Sequence, residues 1–219
     1  MKKLILGYGF VGTILIVFLA ACGGSPAEKM HKNMEESVGI EKKAADVQDK
    51  IISLEKKEKQ SYDKLISLDD HKMKEIKKLS NDAKSNIDKR RVLVKEEKEI
   101  MNDSKENFQK IEGQIDKLKT KKEKVKAKAM HKAMMERYKL YGKLNKAYKR
   151  SLADEKEMYS LLAKKDATHD QVKNVIEKVN KSYDKLVQAN KSFNVQTEKY
   201  NDFKKAFYKT TDLDVSYKK

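Results

Sequence analysis

The chain has 219 residues, of which 39% are charged, with a formal net charge of +17, one proline, eight glycines and no tryptophan. Five of the glycines lie in the first 24 residues and only Gly39, Gly113 and Gly142 follow, too few for the turns of a multistranded sheet. With a mean hydropathy of −0.86, the composition excludes a thick-cored sheet fold and leaves long helices packed along narrow apolar stripes.

The N-terminus stands apart from the fold. Met1-Lys2-Lys3 is a positive n-region, and Leu4 to Leu19 is apolar apart from Thr13 and three glycines, the pattern of an export signal. A retained transmembrane helix is the alternative, since the run approaches bilayer length. The single cysteine separates the two. Leu19-Ala20-Ala21-Cys22 resembles the lipobox of bacterial lipoprotein signal peptides. That likeness implies a diacylglyceryl thioether on Cys22 and cleavage between Ala21 and Cys22. With Cys22 so used, no disulfide can form. Two or more acyl chains would hold the chain to the membrane, at about 0.8 kcal/mol per buried methylene. The expected organisation is a signal peptide over 1–21, a lipidated tether over 22–25, a helical domain over 26–209 and a polar tail over 210–219.

Ser25, Pro26 and Glu28 form a capping box with proline at the first helical position, so a helix is expected from residue 26; a disordered linker to about residue 35 is the alternative. Ala44, Val47, Ile51 and Leu54 then recur at spacings of three and four, as do Phe108, Ile111, Ile115, Leu118, Val125 and Ala129, with Lys122 the one polar interruption. Ser67 with Asp70, and Thr168 with Gln171, repeat the capping device. These signals predict an all-α antiparallel coiled coil of three long helices, elongated, over about 26–66, 69–165 and 168–209. A break at Asn102-Asp103-Ser104 or at Gly113 would give a four-helix bundle instead. The three-helix reading rests on the seam from Phe108 to Val125, which passes through Gly113 in phase.

Between Lys117 and Lys132 stand eight lysines (117, 119, 121, 122, 124, 126, 128 and 132) against one acid, Glu123. A solvated back of the seam is the plain explanation; a polyanionic partner is the sharper one, because excess like charge repels itself. Removing residues 1–21 takes Lys2 and Lys3 from +17 and leaves +15. Eleven of the thirteen exported aromatics lie from Tyr138 onward. Tyr138, Tyr141, Tyr148 and Tyr159 would face Tyr183, Phe193, Tyr200, Phe203 and Phe207 as core, or else stack on the sugar rings of a glycan.

His31, His71, His131 and His169 are scattered; His31 and Glu35 lie four apart, and no metal-ligand spacing, nucleophile elbow or phosphate loop is present. No enzyme, cofactor or catalytic residue is expected.

The lipobox, the segment MMERYKLYGKLNKAYKRSLADEKEMYSLL at 134–162 and FNVQTEKYNDFKKAFYK at 193–209 together resemble the YkyA-like cell-wall-binding lipoproteins of Gram-positive bacteria. The resemblance implies a surface lipoprotein anchored on the extracytoplasmic face of the cell membrane. With the charge, it predicts binding or spacing of anionic cell-wall polymers, peptidoglycan or teichoic acid, rather than nucleic acid. The alternative is a helical scaffold that recruits a protein partner at the envelope.

Overall fold

The protein, here a computed structural model, is described over Leu15–Ile16, residues 24–213 and residues 215–217. The lipobox and Cys22 lie outside the described residues. Helices α1 (Pro26–Leu65), α2 (Met73–Gln109), α3 (Glu112–Ile115), α4 (Lys121–Leu162) and α5 (His169–Tyr208) make up nearly all of it, with a 3₁₀ turn at Asp70–Lys72. A two-residue antiparallel pairing joins β1 (Leu15–Ile16) to β2 (Ser216–Tyr217).

Side-chain caps set the helix starts. Before α1, the Ser25 amide donates to Glu28 Oε2 (3.0 Å) and the Glu28 amide to Ser25 Oγ (3.2 Å). Gly24 precedes this cap at φ 52°, a left-handed conformation that favours glycine. Ahead of α5, the Thr168 amide donates to Gln171 Oε1 (3.0 Å) and the Gln171 amide to Thr168 Oγ1 (3.3 Å). Ser67 does not cap: its hydroxyl donates to the Lys64 carbonyl (2.7 Å), and Asp69 takes the role by accepting from the His71 amide (2.9 Å).

The expected long middle helix is two helices, so the three-helix reading gives way to the four-helix alternative. Past α2 the chain tightens into i→i−3 bonds, Lys110 amide to Asn107 carbonyl and Ile111 amide to Phe108 carbonyl. A second capping box then starts α4: the Thr120 amide donates to Glu123 Oε2 (2.6 Å) and the Glu123 amide to Thr120 Oγ1 (3.1 Å). The turn resets the helical phase. Val125, expected on the seam, is 57% exposed, while Ala127, Met130 and Met134 are buried.

Contacts group the chain into two compact units. Unit 1 holds Asp46–Lys98 and Lys143–Asn190; unit 2 holds Glu99–Gly142 with the described residues of Gly9–Ala45 and Lys191–Lys219. Unit 1 buries Ile51, Ile87, Leu152, Met158, Val179 and Leu186. Unit 2 buries Met30, Met34, Phe108, Ile111, Met130 and Phe207. Along α2 the seam spacing of three and four runs through Ile76, Ser80, Ala83, Ile87, Arg90 and Val94, so polar residues occupy core positions.

Candidate functional site

Most of the aromatic face is core, with Tyr183 and Phe203 half-buried. Tyr138, Tyr141, Tyr148 and Tyr159 are all buried, as are Phe193, Tyr200 and Phe207. Within unit 2, Phe108 meets Tyr138 and Tyr200 edge-on at 6.2 and 6.0 Å, and Tyr141 meets Phe193 at 5.9 Å. Sugar stacking on Tyr138, Tyr141 or Tyr148 is therefore set aside, because the ring faces are covered by protein.

Each unit also buries an arginine among carboxylates, which the sequence reading did not identify. In unit 1, Arg90 on α2 donates through Nη2 to Glu58 Oε2 and to Glu155 Oε2 (2.5 Å). Glu55 approaches Arg90 Nη1 at 3.9 Å and accepts from the Tyr148 hydroxyl at 2.5 Å. Burial, then the Glu155 charge, pushes the Glu58 carboxyl up to about 8, against the pull of Arg90. Burial also raises Glu55 and the hydroxyls of Tyr148, Tyr159 and Tyr183. Burial alone would lower Arg90, but the Glu155 and Glu58 carboxylates hold it well above the ordinary guanidinium value. Three carboxyls around one guanidinium make an acid-rich interior, so one of them keeps its proton near neutral pH.

In unit 2, Arg137 on α4 grips Glu41 of α1 through two bonds of 2.8 Å. Its Nε donates to Thr197 Oγ1 (3.0 Å), and the guanidinium lies 4.8 Å from the Phe193 ring centroid. Ser104 Oγ lies 3.0 Å from Glu41 Oε1 and 2.8 Å from the Tyr138 hydroxyl. This is a one-to-one ion pair with its remaining donors and acceptors engaged, the arrangement in which buried charge is best tolerated.

The histidine expected beside Glu35 is structural. His31 is buried, with Nδ1 2.7 Å from the Tyr208 hydroxyl, while Glu35 takes Lys204 Nζ at 3.1 Å. His131 stacks on Phe108 at 5.9 Å. Burial lowers the pKa of both imidazoles. Among the described residues no group of three His, Cys, Asp or Glu could hold a metal, and no helix is long and apolar enough to cross a membrane.

Two basic surfaces remain. In the segment from Lys117 to Lys132, Lys117, Lys119, Lys121, Lys122, Lys128 and Lys132 are exposed. Its one acid, Glu123, is buried and held by the Thr120 cap. Lys119 pairs with Asp212 (3.2 Å) and Lys128 with Asp116 (3.2 Å). In unit 1, a groove of about 370 Å³ between α4 and α5 is lined by Arg150, Asp154, Asn174, Glu177, Lys178, Lys181, Ser182 and Lys185. Asp154 there pairs with Arg150 (3.1 Å) and Lys178 (3.5 Å), and Lys178 also reaches Glu157 (2.5 Å). Lys181 and Lys185 are exposed, so the groove carries four cations against two acids. Asn174 and Ser182 add neutral hydrogen-bonding groups.

Comparison with known proteins fits this architecture. The model of the YkyA family, described as "Putative cell-wall binding lipoprotein", matches residues 25–210. The "Uncharacterized lipoprotein YkyA" of Bacillus subtilis (strain 168) is 35% identical over 195 residues, 89% of this chain and 87% of its own length. A 1.6 Å crystal structure of a conserved protein of unknown function from Staphylococcus aureus matches with a TM-score of 0.72 at 20% identity, covering 85% of this chain and 97% of that one. At that identity the likeness speaks to the fold alone. The family match spans nearly the whole helical region, and on it the chain belongs to the YkyA family of lipoproteins.

Proposed function

We propose that the protein is a non-enzymatic surface lipoprotein, anchored through a diacylglyceryl group on Cys22 to the extracytoplasmic face of a Gram-positive cell membrane, that binds anionic cell-wall polymers. Residues 1–21 are its signal peptide, 22–25 its tether, and the cut falls between Ala21 and Cys22. The observation that carries the polymer reading is the α4–α5 groove, with Arg150, Lys178, Lys181 and Lys185 beside Asn174 and Ser182. Cations suit the phosphates of a teichoic acid or the carboxylates of peptidoglycan, and neutral groups suit the hydroxyls between them. Binding of this kind releases counterions and weakens steeply with salt.

The test is cosedimentation of the mature, unlipidated chain with purified cell wall, with and without teichoic acid, across a salt series. Lys181→Gln/Lys185→Gln is expected to lower the slope of log affinity against log salt by roughly 0.7 per lost phosphate contact. No binding at low salt would sink the reading; a single stoichiometric protein captured by crosslinking in cells, with purified wall inert, would replace it with the scaffold alternative. Separately, Cys22→Ala is expected to abolish metabolic lipid labelling. Retained membrane association of that unlipidated variant through residues 4–19 would make the segment a transmembrane helix.

A further inference from the structure

The lysines around the α3–α4 turn lie at the end of unit 2 where α1 begins. Asn107, near the end of α2, donates through Nδ2 to the Asn33 carbonyl of α1 at 2.9 Å. The chain beyond Asn107 therefore runs on past the level of residue 33 toward Pro26. Tyr208, the last residue of α5, meets His31 at 2.7 Å. Four residues further, Asp212 pairs with Lys119 in the turn itself at 3.2 Å. His31 is only five residues, about 7.5 Å of helix, from the start of α1. The start of α1, the end of α5 and the turn thus share one end of unit 2.

The acids near this turn are largely engaged. Glu28 and Glu123 serve caps, Asp212 and Asp116 pair with Lys119 and Lys128, and Glu112 stays exposed. Lys117 on the turn and Lys121 and Lys122 at the start of α4 remain exposed with no ion pair to these acids. Under the anchor reading for Cys22, only Gly23 to Ser25 separate the lipidated residue from α1. A span of about four residues bridges at most ~14 Å. An anionic leaflet attracts a basic segment within about a Debye length, ~8 Å at physiological ionic strength.

We propose that Lys117, Lys121 and Lys122 dock this end of unit 2 on the anionic phospholipid headgroups of the membrane that holds the anchor. The inference rests on the Cys22 reading for its biological setting but not for its measurement. It gives this basic surface a different ligand from the α4–α5 groove. Two attachments, one acyl and one electrostatic, would hold the start of α1 against the bilayer.

The experiment uses the mature chain, residues 22–219, carrying Cys22→Ser so that no acyl group is attached. It is floated with vesicles of phosphatidylglycerol and phosphatidylcholine, or of phosphatidylcholine alone. Binding to the anionic vesicles only, lost at 1 M salt, is expected. Lys117→Gln/Lys121→Gln/Lys122→Gln should weaken it by roughly 100- to 200-fold. Lys178→Gln/Lys181→Gln/Lys185→Gln, in the unit 1 groove, should leave it within about twofold of the parent. Equal far-UV ellipticity of the variants controls for folding. Indifference to headgroup charge, or undiminished binding of the turn variant, overturns the proposal. So does soluble teichoic acid binding that the turn variant abolishes while vesicles stay inert. Because no variant carries an acyl group, failure here is distinct from failure of the anchor, which the Cys22→Ala labelling reports.

Discussion

Arg90→Met should destabilise the protein by about 3–5 kcal/mol at pH 8, read as a fall in the urea midpoint followed by far-UV ellipticity. Arg90 is only 3% exposed and is the cation shared by Glu58, Glu155 and, at longer range, Glu55. Without it the buried Glu58 and Glu155 and the half-buried Glu55 face one another with no counter-charge, and desolvation then acts on every one that ionises. The loss should shrink toward pH 5, because the orphaned carboxyls can then be neutralised by protons. Replacing Glu58 and Glu155 by leucine together with Arg90→Met should recover much of the stability, since apolar residues of similar volume can substitute for a buried ionic group. A cost below about 1 kcal/mol at pH 8, the scale of a surface ion pair, would show that the cluster is solvated.

The second expectation concerns the wild-type protein itself. Glu58 has an ordinary value of 4.5 and is raised to about 8 in the folded chain. Between those limits the folded state holds a proton that the unfolded state has released, so stability falls as pH rises. The contribution is complete below about pH 4.5 and is lost as pH climbs through the folded value, at about 1.4 kcal/mol per pH unit within the window. Glu55, also raised by burial, acts in the same direction. In unit 2, His31 and His131 act with the opposite sign: burial lowers them from 6.5, so the unfolded chain takes up protons first and stability is lost as pH falls below that value. Glu58→Gln should flatten the decline between pH 6.5 and 8 and leave the acid limb in place. Urea midpoints across pH for both proteins decide it; parallel alkaline limbs would mean Glu58 is not the group that titrates.

Much of the helical plan was legible from short-range chemistry. Ser25 with Glu28 and Thr168 with Gln171 mark helix starts that the structure realises bond for bond, because a capping box depends only on residues three apart. The Thr120–Glu123 box was equally present in the sequence. The sequence reading did not use it, because the even spacing of the seam from Phe108 to Val125 implied one continuous helix. Spacing reports phase, and it cannot reveal a turn whose residues also keep to the pattern. Glu55 and Lys59 lie four apart on α1, yet Lys59 turns to Asp63 and Glu55 turns inward to Tyr148.

The buried charges were hidden for a related reason. A charged residue in a sequence this rich in lysine and glutamate reads as part of a solvated face, and only tertiary pairing makes burial tolerable. Arg90 and Ser104 nonetheless fall on the same three-and-four spacing as Ile87, Val94, Met101 and Phe108, so the signal lay in their register rather than in their chemistry. The aromatics were easier. Eleven of them crowd into the last 82 residues of the chain, from Tyr138 onward, and their area alone favours burial.

The Glu41–Arg137 contact also limits which alignments the helices can adopt. Stripes of alanine, isoleucine and methionine interlock almost equally well after a slip of one heptad, since one small or flexible side chain replaces another. A seven-residue slide of α1 along α4 would part Glu41 from Arg137 by about 10 Å and strand two opposite charges in an apolar interior. The bidentate pair, with both bonds at 2.8 Å, therefore works as a key cut for one position of the lock. It gives a permissive packing surface a single way to close.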